Sequence, residues 1–273
     1  MAVGDPVRVR AYFLLAYGVS WAGWGSLALL GWDPFGFPGV LLFAVGGVGP
    51  AVAGVGLVLR APLAYRREYR RRLIDPSRIG ARWLAVVLLL PLAVTLVAFG
   101  GLALVGEPSG FEPPSLLGDP GSLLSVLAFT LVFGPLPEEL GWRGYVLDGL
   151  LSRHGALAAS LLLGVAWWLW HLPLFLLPGT YQAGLGVGTP AFWLFGYFLV
   201  LYSVLYTWVH ANTRRSTLAA VLFHFAINAT GELLRTTLAT DLVAAVALLV
   251  IVAGVVGYWG PDRLARTNRA RRA

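Results

Sequence analysis

Along this chain, apolar runs of roughly twenty residues alternate with short polar or charged breaks, the pattern of helices that cross a lipid bilayer. The first run extends from Ala11 to Trp32, behind Arg8 and Arg10. It is too long for a signal-peptide core and lacks a convincing cleavage site, so it reads as a retained helix. The turn Asp33-Pro34-Phe35-Gly36 leads to a second helix over Pro38–Leu59, whose Gly46, Gly47, Gly49, Gly54 and Gly56 let a neighbouring backbone come close. Further helices are predicted over Trp83–Val105, Ser122–Leu151, Ala156–Leu177, Ala191–His210, Ser216–Leu234 and Leu242–Trp259. The fourth is interrupted by Gly134-Pro135 and by Pro137; each proline removes a backbone donor and predicts a kink. The expected fold is all-α: a polytopic bundle of eight transmembrane helices forming a single transmembrane domain over residues 1–273.

Charge fixes the expected orientation. Every arginine except Arg235 falls in or beside the segments 1–10, 60–82, the end of helix four with 152–155, 211–215 and 260–273. These lie on one side of an eight-helix bundle, so the positive-inside rule puts both termini in the cytoplasm. The outer loop Gly106–Gly121 carries Glu107, Glu112 and Asp119 and no basic residue. The net charge of +7 and pI near 10.1 invite a nucleic-acid reading, but the basic residues are spread between apolar runs rather than along one soluble face. Membrane lipid is therefore the expected partner, with no nucleic acid, and the cytoplasmic membrane of a prokaryote the expected location.

Composition agrees: 58% of residues are hydrophobic and 12% charged, against about 45–50% and about 25% in a soluble domain. The chain has no cysteine, which excludes disulfides and thiolate metal sites.

The candidate chemistry sits in Pro137-Glu138-Glu139-Leu140-Gly141-Trp142-Arg143. A carboxylate taken out of water is costly unless paired, and an ionisable residue within a membrane helix is a functional candidate. Glu139 and Arg143 are four apart and share a helix face, whereas Glu138 is turned about 100° away. At about 1.5 Å per residue, Glu138 stands roughly 19 Å above the cytoplasmic end of its helix, His171 roughly 22 Å, His224 roughly 12 Å and Asn228 roughly 18 Å. His224 and Asn228 again share a face. Such a set suits a hydrolase without a nucleophilic side chain: a glutamate and a histidine hold and deprotonate water, and a second histidine with an asparagine donates to a developing oxyanion. The chain contains no His-Glu-x-x-His and no Gly-x-Ser-x-Gly. His154, His210 and Asp148 lie at cytoplasmic helix ends and read as interfacial or solvated charges.

At these residues the sequence resembles the CPBP family, the CAAX-protease and bacteriocin-processing (Abi, Rce1-type) intramembrane proteases. Glu138-Glu139-x-x-x-Arg143 matches the first family motif and His224-x-x-x-Asn228 the third; the second is met as Trp167-x-x-x-His171, with Trp in place of the family's Phe. The resemblance covers residues 122–234. It implies an intramembrane endopeptidase acting on a peptide or protein substrate that can be lipidated, as with CAAX prenyl protease 2. By this resemblance Glu138 and His171 activate water, His224 and Asn228 form the oxyanion site, and Glu139 with Arg143 fixes helix four. Both metal-dependent and glutamate-type mechanisms have been described for the family. Glu138, Glu139, His171 and His224 are N/O donors able to ligate zinc, but no spacing demands it, and direct glutamate activation without a cofactor is the preferred expectation. Two other readings use the same residues: a non-catalytic membrane binding or immunity protein on the same fold, and, without support from any inverted repeat, a proton-coupled transporter.

Overall fold

A computed structural model describes residues 7–111 and 118–266. Glu112 of the outer loop and Arg269, Arg271 and Arg272 of the C-terminal tail lie outside them. The described residues form helices and connecting turns, with no strand among them. In chain order the helices are α1 (Val9–Leu30), α2 (Gly39–Gly47), α3 (Gly49–Val58), α4 (Leu63–Ile74), α5 (Ala81–Leu104), α6 (Pro120–Phe133), α7 (Pro135–Gly141), α8 (Leu147–Leu151), α9 (Ala156–Trp170), α10 (Tyr181–Leu185), α11 (Pro190–Asn212), α12 (Thr217–Leu233) and α13 (Leu238–Trp259). Residues Trp142–Val146, between α7 and α8, form a π-helical turn.

Six stretches are long and apolar enough to cross a membrane: α1, α5, Pro120–Leu151, Ala156–Leu176, α11 and α13. A seventh is gained if the pair α2 and α3 is counted as one span. The expected count of eight is not reached on this measure, because α12 is apolar but short, one of the helices of 10–17 residues. The second expected helix is in fact two, bent by 49° at Val48. Glycines on both sides of Val48, with Pro50 in the first turn of α3, weaken the ladder there.

Local signals set the other boundaries. Asp119, Thr189 and Ser216 accept backbone N–H groups at the starts of α6, α11 and α12. Thr237 forms a capping box with Thr240, which starts α13 at Leu238, ahead of the expected Leu242. The fifth helix ends at Trp170, earlier than expected, because Pro173 cannot continue it and a 3-10 turn takes over at Leu172–Leu176. The basic segment 60–82 holds α4 and a short 3-10 turn at Pro76–Arg78.

Lipid gives no hydrophobic reason for helices to associate, so close packing must hold them together. Side chains such as Leu29 and Leu104, about nine-tenths exposed, face outward. Inside, α9 packs on α11, α1 on α2 and α3, α5 on α12 and α13, and α3 on α7. The α3–α7 crossing is backbone to backbone: a Cβ on Gly54 would stand 2.9 Å from the Leu140 oxygen and from Gly141 Cα. Behind it, the buried rings of Trp24, Trp170, Trp142 and Tyr12 meet at centroid distances of 4.7, 5.9 and 5.4 Å along that series.

Candidate active site

The break at Gly134 and the π turn give the acid-bearing helix its shape. Gly134 has φ −130° and ψ −83°, outside the helical region, and α7 restarts at Pro135. The short α7 carries both glutamates; the π turn that follows carries Arg143. Wider π turns are commonly found at functional sites, and nothing in the sequence pattern announces this one.

Glu139 and Arg143 are both fully buried and paired, with Arg143 Nη1 donating to the two Glu139 oxygens at 2.9 and 3.2 Å. The guanidinium also lies over two aromatic faces, 3.7 Å from the Tyr206 ring centre and 4.5 Å from that of Trp167. Glu139 Oε1 takes a further contact from His224 Nδ1 at 2.9 Å. A carboxylate oxygen accepts, so Nδ1 carries the proton and Nε2 of His224 is the nitrogen left for chemistry.

Glu138 has a different partner. Its Oε2 accepts from the indole N–H of Trp167 at 2.6 Å, in a buried contact between α7 and α9. His171 caps the C-terminal end of α9 and its Nδ1 stands 2.8 Å from the Trp167 carbonyl oxygen. A carbonyl only accepts, so this ring also holds its proton on Nδ1 and leaves Nε2 bare. Trp167 touches almost every member of the set, since the His171 and His224 rings lie 5.9 and 5.3 Å from its own. The sequence pattern marks Trp167 only as the aromatic before the histidine; its bond to Glu138 is a function a phenylalanine lacks. Asn228, half-buried on α12, sits against the break in helix four: a Cβ on Gly134 would be 3.3 Å from its Nδ2.

All six sequence-selected residues therefore come from α7, the π turn, the end of α9 and α12, and the Glu139–His224 contact joins two of these elements directly. No group of three His, Asp or Glu side chains that could hold a metal ion occurs among the described residues. The Glu139 carboxylate already serves Arg143 and His224 Nδ1.

The end charges correct the sequence reading. Asp148 is not a solvated helix end: it is nearly buried and bonded to Arg72 Nη1 at 2.7 Å and to Arg215, with His210 Nε2 3.4 Å away. His210 is likewise buried rather than interfacial. Arg72, from the segment read as a lipid anchor, is 1% exposed. Burial works against its charge, but Asp148 outweighs this and its pKa stands above the ordinary value for arginine.

Residues 120–230 match the model of a family described as type II CAAX prenyl endopeptidase Rce1-like. The chain is an intramembrane endopeptidase, and both this match and its archaeal relative support the CPBP/Rce1 type. It is similar along nearly its whole length to a protein of Methanococcus maripaludis named CAAX prenyl protease 2, with 28% identity over 256 residues, 91% of this chain and 93% of the relative.

Proposed function

We propose that this integral membrane protein hydrolyses a peptide bond in the tail of a prenylated protein or peptide, by a glutamate-type mechanism. The substrate class rests on the name of the archaeal relative, CAAX prenyl protease 2, and on the family match. The observation that carries the mechanism is the convergence on Trp167 of Glu138, Arg143 and both histidine rings, buried among apolar helices.

In this reading a water molecule lies between Glu138 and the bare Nε2 of His171. Glu138 takes a proton from it as the oxygen attacks the scissile carbonyl carbon, and His171 Nε2 accepts the water's second hydrogen bond and aligns its lone pair. The C–O bond forms and negative charge gathers on the former carbonyl oxygen. His224 donates to that oxygen through Nε2 when both ring nitrogens carry protons, and Asn228 through its amide N–H. The C–N bond then breaks, with the proton on Glu138 passing to the departing amine. Glu139 does not react; with Arg143 it holds His224 Nδ1 and fixes which nitrogen points at the substrate. The single transmembrane domain sits in the cytoplasmic membrane of a prokaryote, with both termini inside, and the arginine distribution supports that orientation.

The test is cleavage of a farnesylated reporter peptide in detergent or proteoliposomes. Glu138→Gln and His171→Ala are expected to insert and fold like the parent but lose at least about a thousandfold in turnover, the loss a missing base and its aligner imply. Turnover by either variant near the parent rate would refute the assignment. Chelation that leaves the parent rate unchanged, with no metal found in the purified protein, would support the direct role of Glu138; loss of activity restored by zinc would overturn it.

A further inference from the structure

The knot around Asp148 has no part in the hydrolytic scheme, yet its bonds end at the backbone beside the site. Helix four reaches the glutamates through the π turn, and two side chains of α4 donate into it. Tyr69 OH bonds the Leu140 oxygen at 2.8 Å, and Arg72 Nη2 bonds the Gly144 oxygen at 2.7 Å. Those carbonyls belong to the residues directly after Glu139 and Arg143, one turn apart. Arg72 is itself held by Asp148, and Asp148 by Arg215. Arg215 leads into α12, which carries His224 and Asn228. The turn there is unusual: Arg214 and Arg215 have φ of 52° and 61°, a left-handed conformation that costs non-glycine residues energy unless something holds it. The holding contacts are visible. Arg78 Nη1 bonds the Arg214 oxygen at 2.7 Å, Arg214 bonds back to the Ser77 oxygen, and Arg215 reaches Asp148.

We propose that α4 is a cytoplasmic clasp that positions the active site: Tyr69 fixes the end of α7, Arg72 fixes the π turn carrying Arg143, and the Asp148–Arg215 bond sets α12 against them. Tyr69, Arg72 and Asp148 touch no reacting atom and are positioning residues, acting through Glu139–Arg143 and His224. This inference rests on the site reading above. The clasp would be redundant if the π turn were rigid alone, but a kinked helix leaves backbone groups that neighbours must satisfy.

The experiment is hydrogen–deuterium exchange of the full-length protein, read on peptides covering 138–148 and 217–228, together with kinetics on the farnesylated reporter. Arg72→Met is expected to speed exchange in both peptides, and to lower kcat about tenfold while KM moves less than about twofold, as a misplaced catalytic group does. Tyr69→Phe removes one hydroxyl and keeps the ring; it is expected to speed exchange in 138–148 and to lower kcat severalfold, and it carries the test should Arg72→Met not fold. Parent-like exchange at 138–148 in either folded variant, or a rate loss that appears in KM instead of kcat, overturns the clasp. The exchange readout needs no substrate, so activity surviving in Glu138→Gln would defeat the protease mechanism, while exchange at 138–148 would still decide the clasp.

Discussion

Helix four carries two acids with cationic partners, and the two clusters behave differently. Glu139 meets Arg143 and His224 with water excluded from both members of the ion pair. Asp148, two and a half turns on, gathers Arg72, His210 and Arg215, but Arg215 remains about half exposed. In the first cluster the surroundings are aromatic faces, so the charges have only each other and the π-clouds of Tyr206 and Trp167. In the second, the cations also reach backbone carbonyls and solvent. A desolvated pair is costly to break from one side because the survivor stays buried and uncompensated. A half-wet cluster can recruit water in place of a lost partner. The same charge types therefore serve different ends: one cluster holds a reactive ring in place, the other joins segments.

This difference yields an order of effects. Glu139→Ala should cost the most, about 3–5 kcal/mol of stability with loss of turnover, because Arg143 is left buried without its carboxylate; equilibrium unfolding in mixed detergent measures it. Asp148→Ala should cost less, about 2 kcal/mol, since Arg72 keeps its bond to the Gly144 carbonyl. Equal losses in the two variants would erase the distinction. Trp167→Phe removes the donor to Glu138 and keeps an aromatic ring; turnover should fall about tenfold with little change in stability beyond about 1–2 kcal/mol. Unchanged turnover in Trp167→Phe would show that the Glu138 carboxylate is held by other means. Arg215→Ala should be the mildest, under about 1 kcal/mol in stability, and the effect should shrink further in about 1 M salt.

The sequence makes one cluster legible and hides the other, for a physical reason. Glu138, Glu139 and Arg143 stand out because they interrupt an apolar run, where a charge needs a cause. Asp148 and Arg72 sit among other charges at a membrane edge, where exposure is the ordinary outcome, and only tertiary contact distinguishes Arg72 from its neighbours Arg70 and Arg71. The helices are readable from apolar length, and most of their ends lie near the expected positions because Ser216, Pro190 and Pro120 signal them locally. The bend at Val48 and the π turn at Trp142–Val146 are not readable. Glycines and prolines mark where a helix can yield, but the packing of α3 on α7 decides how it does. His171 is expected inside a helix and is found at its end, where a 3-10 turn takes over.

The crossing at Gly54 and Gly141 gives the site an unexpected dependence. Behind the glutamates one strip of main chain is laid on another, with the Tyr12 hydroxyl also set against Gly141. The acids are located by two absent methyl groups, and whatever chemistry the site performs is set from the rear by the thickness of a hydrogen atom.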